Sequence, residues 1–228
     1  MRPDEFLMKV GRRIKWAVKG RPVPPNLLEM VWPEDKLDNK PLVNVPEGYC
    51  LRQFDDADTQ NYYDLFARAS MEKPPLDYWR KHLLPEGFFV IEHQASKTIV
   101  AACFASHHPT ARHPQAGNFG WLAVDPAYRG RNLGQAISAA VTARLIEGGY
   151  KRIYLETHDF RLPAIAIYLK MGWVPLLYLP EMERRWALIC EALQRPYTPE
   201  CWPNGTALNS IVTPTPQPFV LRSGGSPF

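Results

Sequence analysis

The sequence predicts an α/β (α+β) fold, in which helices flank a mixed central β-sheet. Three observations predict it: strand-like runs alternate with segments of helical periodicity, a glycine-bearing turn joins one strand directly to a helix, and proline-rich stretches border this region. The chain has 228 residues, of which 46% are hydrophobic and 22% are charged. This composition is ordinary for a soluble globular protein with one sizeable core.

Proline residues divide the chain into three regions. Six prolines lie within residues 22–46, and seven lie within residues 196–227. Because proline disrupts both strand ladders and helices, these stretches are interpreted as extended segments or linkers. We therefore predict a compact domain over residues 48–194, between an N-terminal region, 1–47, and a C-terminal tail, 195–228.

A strand and two helices are predicted first. Residues 49–54, YCLRQF, have the composition of a strand. The next helix, 56–70, begins at Asp56 or Asp58, because aspartate is a favoured N-cap. A shorter helix, 76–84, follows two consecutive prolines, which suit the start of a helix.

Three strands and a long helix follow. Residues 87–94 and 98–108 are two β-branched and aromatic runs separated by polar residues, so they predict a hairpin. Residues 118–124 form a third such run. From Leu133 onward, apolar residues recur at helical spacing until the Gly-Gly pair at 148–149 ends the helix.

The last predicted elements are a strand over 152–157, a helix over 163–172 that is closed by a glycine, and a final strand over 173–179. The complete order is therefore β-α-α-β-β-β-α-β-α-β. This order predicts a mixed sheet.

The turn between residues 124 and 134, VDPAYRGRNLG, predicts an anion-binding site. Backbone N–H groups in the first turn of a helix have no partner within that helix, and they lie at the positive end of its dipole. Gly130 and Gly134 allow a ligand to approach the backbone closely. Arg129 and Arg131 offer charge-assisted donors for phosphate. The alternative interpretation, an ordinary strand-to-helix turn, stays open on these features alone.

This segment resembles the signature of the GCN5-related N-acetyltransferases, V-x-P-x-x-[RQ]-x-x-G-x-[GA]. The matching residues are Val124, Pro126, Arg129 and Gly134. Asn132 stands where the family usually has glycine, and asparagine tolerates left-handed backbone better than most residues. The resemblance covers roughly residues 48–180 and is carried by residues 118–174.

The resemblance implies an acyl-CoA N-acyltransferase fold with a mostly antiparallel sheet, acetyl-CoA as co-substrate and no metal. It implies that the backbone of the preceding strand pairs with the pantetheine arm and that amides of the turn hold the pyrophosphate. The implied cofactor-binding residues are Leu122, Ala123, Val124, Arg129, Gly130, Arg131, Asn132, Leu133, Gly134, Gln135 and Ala164.

A second run, Leu155-Glu156-Thr157 through Gly172-Trp173, resembles a later motif of the same family. Ala164, Tyr168 and Gly172 are in register with that motif, whereas Arg161 replaces its usual asparagine. By resemblance, Tyr168 is the acid that protonates the departing thiolate. The amide of Val124 is the expected oxyanion donor.

Glu156 is the predicted catalytic base, because acetyl transfer requires the acceptor ammonium to lose a proton first. It precedes Tyr168 by twelve residues, the offset of the base and acid in the ribosomal-protein N-terminal acetylases of this family. His158 shares a strand face with Glu156 and is an alternative base. A second family position for a base corresponds to Asn118, which cannot take a proton.

The predicted function is therefore an N-acetyltransferase that moves an acetyl group from acetyl-CoA to a primary amine by direct attack in a ternary complex. An acyl-CoA-binding sensor or interaction module without turnover is the alternative, favoured by the departures at Asn132 and Arg161. A cysteine hydrolase built on Cys103 and His107 is a third hypothesis. His107 and His108 are interpreted as surface residues.

The four cysteines contain no C-x-x-C pair, so we expect neither a disulfide framework nor a zinc site. Cys50 and Cys103 lie in strand-like runs, where free cysteine behaves as a small buried hydrophobe.

The positive charge is concentrated at the N-terminus, since residues 1–21 carry a net charge of +5 and the other residues sum to −1, which gives the total of +4. The remainder is nearly neutral, so we predict no nucleic-acid binding. Residues 5–18 have the spacing of a basic amphipathic helix. It could contact acidic lipid, but we favour packing on its own domain or on a sister subunit in a homodimer. No secretion signal or apolar span is apparent, which predicts a cytoplasmic protein.

Overall fold

The structure, a computed structural model, describes residues 26–203. The predicted amphipathic helix over 5–18 and most of the proline-rich tail lie outside the described residues. Seven strands and five α-helices lie within the described range. The strands are β1 (Leu28–Val31), β2 (Tyr49–Gln53), β3 (Leu83–His93), β4 (Thr98–His107), β5 (Gly117–Val124), β6 (Ile153–Thr157) and β7 (Val174–Leu176). The helices are α1 (Thr59–Arg68), α2 (Leu76–Arg80), α3 (Leu133–Glu147), α4 (Leu162–Met171) and α5 (Pro180–Ala192).

All seven strands form one mixed sheet in the order β2-β3-β4-β5-β6-β1-β7. Five of the six neighbouring pairs are antiparallel, and only β5 and β6 run parallel. The predicted fold class, a mixed and mostly antiparallel sheet flanked by helices, is confirmed.

Helices cover the sheet unequally on its two faces. On one face, α3, α4 and α5 enclose the largest apolar cluster, which includes Ile137, Ile165 and Trp186. On the other face, α1 and α2 cover only the β3–β5 half. The remaining half of that face, formed by β1, β6 and β7, has a small cluster around Tyr154 and Leu176, and no helix residue contributes to it. This half, which no helix of the described residues covers, lies beside the candidate site described below.

The proline-rich stretch over 22–46 contributes a strand, so its interpretation as a linker is wrong for Leu28–Val31. This strand lies between β6 and β7, antiparallel to both, and all four of its residues are buried. The sequence did not predict this strand, because prolines flank it on both sides and four residues are too few to show periodicity. Prolines outside the strand do not remove any of its ladder hydrogen bonds.

The structure corrects three further element bounds. The helix predicted to reach residue 84 ends at Arg80, and β3 begins at Leu83, because Leu83 pairs with Ser106 of β4. The final strand is shortened to Val174–Leu176, and α5 follows where no helix was predicted. At the start of β3, pairing with β4 therefore outweighed local helix propensity.

Cys50 is exposed, contrary to the prediction, because β2 is an edge strand. Cys103 is buried as expected.

Candidate active site

A gap in the sheet defines the candidate site. β5 and β6 pair in parallel through only three residues, from Gly117–Ile153 to Phe119–Leu155. Beyond Phe119, β5 continues along β4 alone, while the end of β6 pairs with β1. The edge of β5 that carries Leu122, Ala123 and Val124 therefore faces no strand of the described sheet.

A β-bulge marks the point where the two strands separate. Between the pairs Ala102–Ala123 and Phe104–Gly120, β5 has one residue more than β4. Trp121, within this bulge, has a φ of 54°, which is unusual for a bulky side chain. Because a bulge bends its strand, it directs the end of β5 away from β6.

Asp125, the first residue of the turn after β5, fixes the turn through its side-chain contacts. The Asp125 carboxylate accepts the Ala127 amide at 2.9 Å and forms an ion pair with Arg68 of α1 at 2.6 Å. At the other end of the turn, Asn132 is the N-cap of α3 and has left-handed backbone, with φ 60° and ψ 10°. The expectation that asparagine keeps this loop in the left-handed conformation is confirmed.

The first turn of α3 presents free backbone donors. The first α-helical bond of α3 runs from the Ala136 amide to the Asn132 carbonyl at 2.9 Å. The amides of Leu133, Gly134 and Gln135 precede it, so they have no partner within the helix. Gly130 also has left-handed backbone, with a φ of 77°.

Three exposed cationic side chains lie in or next to this turn. Arg129 and Arg131 lie in it, and Arg131 donates to the Tyr49 hydroxyl at 2.9 Å. Lys170 of α4, which the sequence analysis did not single out, donates to the Gln135 side chain at 2.9 Å. The combination of free amides and cations favours a polyanionic ligand here.

Gly134 has a packing role in addition to its backbone role. A Cβ at this position would lie 2.9 Å from Ile167 Cδ1 and 3.4 Å from Val124 Cγ2. The glycine thus lets α3 approach both α4 and β5. Ala164, predicted from the second motif, lies half-buried in the first turn of α4.

Tyr168 belongs to α4 and packs against the face of the sheet that α3 and α4 cover. It is 5% exposed, and its ring contacts Phe119 edge-on, with centroids 5.4 Å apart. Burial raises the pKa of its phenol well above the usual value; Cys103 adds to the rise and Arg161 opposes it. The phenol therefore stays protonated at neutral pH, as an acid must.

Glu156 lies on the opposite face, at the end of β6. Its side chain is exposed, but neighbouring protein groups partly desolvate the carboxylate. The resulting desolvation raises the pKa of Glu156; the Glu29 carboxylate adds to the rise, and Arg112 opposes it. A carboxylate with a raised pKa is a stronger base.

His158 and Arg161 follow β6 at the entrance to α4. The ring of His158 stacks on Phe160 at 5.0 Å, and burial lowers the pKa of His158, with Arg161 acting in the same direction. The loop is tied down by Asp159, which accepts two bonds from Arg185 of α5, at 2.9 and 2.6 Å. Arg185 was missed because α5 was not predicted.

Cys103 is unsuited to be a nucleophile. Burial raises the pKa of its thiol, and Sγ donates to the Gly120 carbonyl at 3.2 Å, so it is held as an inert thiol. His107 is exposed and contacts the Tyr150 hydroxyl at 3.0 Å. The described residues contain no group of three His, Cys, Asp or Glu side chains that could hold a metal ion. Within residues 26–203, every helix is too short or too polar to cross a membrane.

Comparison with protein families gives one match over the region that holds this site. A sequence model of the acetyltransferase (GNAT) family matches residues 51–173. Among curated proteins, the chain is 28% identical over 151 residues to a mycothiol acetyltransferase of Thermobispora bispora, covering 58% of this chain and 49% of that protein. It is also 28% identical over 165 residues to the mycothiol acetyltransferase of Saccharomonospora viridis, covering 64% and 49%. The chain thus spans about half the length of the curated relatives it matches.

Solved structures show the same fold. A GCN5-related N-acetyltransferase from Sphaerobacter thermophilus superposes with a TM-score of 0.51 at 21% identity, covering 72% of this chain and 53% of that one. A tandem GNAT protein from the clavulanic acid biosynthesis pathway has a TM-score of 0.51 at 16% identity, covering 72% and 55%. At these identities the likeness concerns the fold alone.

Proposed function

The chain belongs to the acetyltransferase (GNAT) family, and on this premise we propose that it transfers an acetyl group from acetyl-CoA to a primary amine by direct attack in a ternary complex. The observation that carries the proposal is the junction of two features: the unpaired edge of β5 leads directly into the turn whose free amides begin α3. An extended arm and a diphosphate at its end fit these two features in that order.

The unpaired edge of β5 is the site for the pantetheine arm. Backbone groups of Leu122, Ala123 and Val124 can hydrogen-bond an extended chain as a further strand would. The diphosphate then lies against the amides of residues 129–135, with Arg129 and Arg131 beside it. Lys170 extends this cationic surface toward α4.

The chemistry follows from the groups on the two sides of the gap. Glu156 takes a proton from the acceptor ammonium, and the free amine attacks the thioester carbonyl. The Val124 amide stabilises the developing oxyanion. When the C–S bond breaks, Tyr168 gives its proton to the thiolate, and the second proton that the acylated nitrogen loses restores the phenol. His158, two residues beyond Glu156, is the alternative base.

A binding module without turnover is the competing function, and the site supports it less well. It was favoured by Asn132 and Arg161, but Asn132 adopts the left-handed backbone that a glycine would supply. The raised pKa of Glu156 also suits proton transfer.

Two measurements test the proposed function. The first is thermal stabilisation of the chain by millimolar CoA and acetyl-CoA, since any ligand that binds only the folded state raises the melting temperature. The second is CoA release from acetyl-CoA across an amine panel: an amino acid, an amino sugar, a polyamine and a short peptide with a free N-terminus. The name of the curated relatives, mycothiol acetyltransferase, is one reason to include small acceptors.

CoA release should be followed by chromatography instead of a thiol reagent, because Cys50 and Cys201 are exposed free thiols that would react with it. Binding without acetylation of any amine would favour the module, and absence of any stabilisation would refute both functions.

A further inference from the structure

A second glutamate lies directly opposite Glu156. In the register of β1 against β6, Glu29 and Glu156 are Cα partners. Directly opposed residues in an antiparallel pair point to the same face, with Cβ atoms about 5 Å apart. The two carboxylates thus lie side by side on the half of the sheet face that no helix within residues 26–203 covers.

The Glu29 carboxylate is fixed and buried. It is 6% exposed, accepts from His113 Nε2 at 2.8 Å and forms an ion pair with Arg112 Nε at 3.0 Å. The Arg112 guanidinium in turn lies over the Tyr178 ring, 3.8 Å from its centroid. Glu29 therefore cannot swing away from Glu156 to relieve their repulsion.

The hydrogen bonds around His113 determine its tautomer. Arg152 Nε contacts His113 Nδ1 at 3.1 Å, and because arginine only donates, Nδ1 is the acceptor. Nε2 then carries the proton and donates it to Glu29. Burial lowers the pKa of His113, which is 1% exposed, so the ring is neutral and adds no positive charge beside Glu29.

The charged and titratable groups that face Glu156 come from four elements. They are Glu29 of β1, Tyr154 of β6 itself, Arg112 of the loop between β4 and β5, and Tyr178 after β7. Glu29 and Arg112 are the acidic and the basic group among them, and they act on the pKa of Glu156 in opposite directions.

We propose, on the basis of the proposed function, that Glu29 is a positioning residue for acetyl transfer: its fixed carboxylate opposite Glu156 keeps Glu156 able to take the proton of the acceptor ammonium. In that step the N–H bond breaks, the proton passes to the Glu156 carboxylate, and the nitrogen keeps the electron pair for attack. Arg112 opposes the effect of Glu29 on the pKa of Glu156. Glu29 itself touches neither substrate.

The experiment is a titration of the Glu156 carboxyl by carbon NMR in the full chain, with assignment from Glu156→Gln. It requires neither acetyl-CoA nor an acceptor. Glu29→Gln keeps the size of the side chain and removes its charge, so the Glu156 midpoint should fall by about 0.5 to 1 pH unit. Arg112→Gln should move the midpoint in the opposite direction. Glu147→Gln, which removes an exposed partner of Lys40, is the matched control and should leave the midpoint unchanged.

A purely structural role for Glu29 would not produce shifts of opposite sign in two variants. The acid limb of acetyl transfer, measured with the best amine of the panel, should move in parallel with the titration. An unshifted midpoint in Glu29→Gln overturns the inference even if the wild-type chain acetylates an amine. If Glu29→Gln does not fold, the absence of an upward shift in Arg112→Gln overturns it. A wild-type chain that acetylates nothing removes the proposed function, and the titration still decides the coupling.

Discussion

Glu156 and Tyr168 lie on opposite faces of the sheet, at the place where β5 and β6 separate. Glu156 shares the face of Tyr154, whereas Tyr168 belongs to α4 and packs in the apolar cluster on the other face. Where strands are paired, the sheet separates side chains on its two faces. The gap between the two strands is the opening through which one reacting centre could meet both.

Glu156→Gln should lower kcat/KM for the acceptor by about 100-fold or more, because a positioned general base contributes roughly 10²- to 10⁴-fold. In the wild type, activity should fall as the pH falls through the raised pKa of Glu156, since the base must be ionised. Steady-state rates against pH measure both effects. Glu183→Gln is the control: it replaces an exposed residue of α5 and should leave the pH–rate profile unaltered. Full activity in Glu156→Gln would transfer the role of base to His158.

Tyr168→Phe should reduce kcat by about 10- to 100-fold while leaving acetyl-CoA affinity and the melting temperature nearly unchanged. The described residues offer its hydroxyl no hydrogen bond, so its removal should cost little stability. Tyr62→Phe is a matched control, because Tyr62 is also buried with an unpartnered hydroxyl but belongs to α1 and packs in the other apolar cluster. Equal kcat in the two variants would exclude Tyr168 as the acid.

Asn132→Gly should keep the stabilisation by CoA, whereas Asn132→Val should lose most of it. Glycine adopts the left-handed backbone of the N-cap without strain, but left-handed backbone costs most residues about 1–2 kcal/mol, and a β-branched residue tolerates it poorly. Calorimetric titration with CoA distinguishes the two variants. Equal affinities would show that the turn does not bind the diphosphate.

The buried neutral state of His113 predicts a stability that depends on pH. Its folded pKa lies below the unfolded value of about 6.5, so the unfolded chain binds more protons between these two values. Stability should therefore fall as the pH falls through 6.5 and below. Thermal melts between pH 5 and 8 test this, and His113→Gln should flatten the acid side. The pKa of His158 is also lowered, so His158→Gln serves as the comparison and should flatten it less. An equal acid slope in wild type and His113→Gln would contradict the assignment.

Met30→Ala should lower the free energy of unfolding by about 2–5 kcal/mol, the usual cost of emptying a buried methionine site. Met30 is fully buried in the large cluster beneath α3 to α5. Leu42→Ala, at a side chain that is 93% exposed on the same proline-rich stretch, should change stability by less than about 0.5 kcal/mol. Chemical denaturation measures both. Similar small losses would mean that β1 is not part of the cooperative unit.

Local sequence signals were enough to predict those features whose conformation depends on residues close together in the chain. The turn from Val124 to Gly134 could be predicted because proline, arginine and glycine at fixed spacing specify a turn and a helix start. Asn132 stands at the family's usual glycine position, and the left-handed backbone that asparagine tolerates is the one observed there. The hairpin of β3 and β4 and the apolar period of α3 were predicted in the same way.

Contacts between distant segments decided the rest. Leu28–Val31 carries no periodic signal, and only the open edges of β6 and β7 make it a strand. Its insertion brings Glu29 opposite Glu156, although 127 residues separate them, and the buried polar network of His113 and Arg112 then holds it there. Hydrophobic periodicity reports on burial one element at a time. Which elements become neighbours depends on the free energy of packing the whole chain, and that placement determines the electrostatic surroundings of the proposed base.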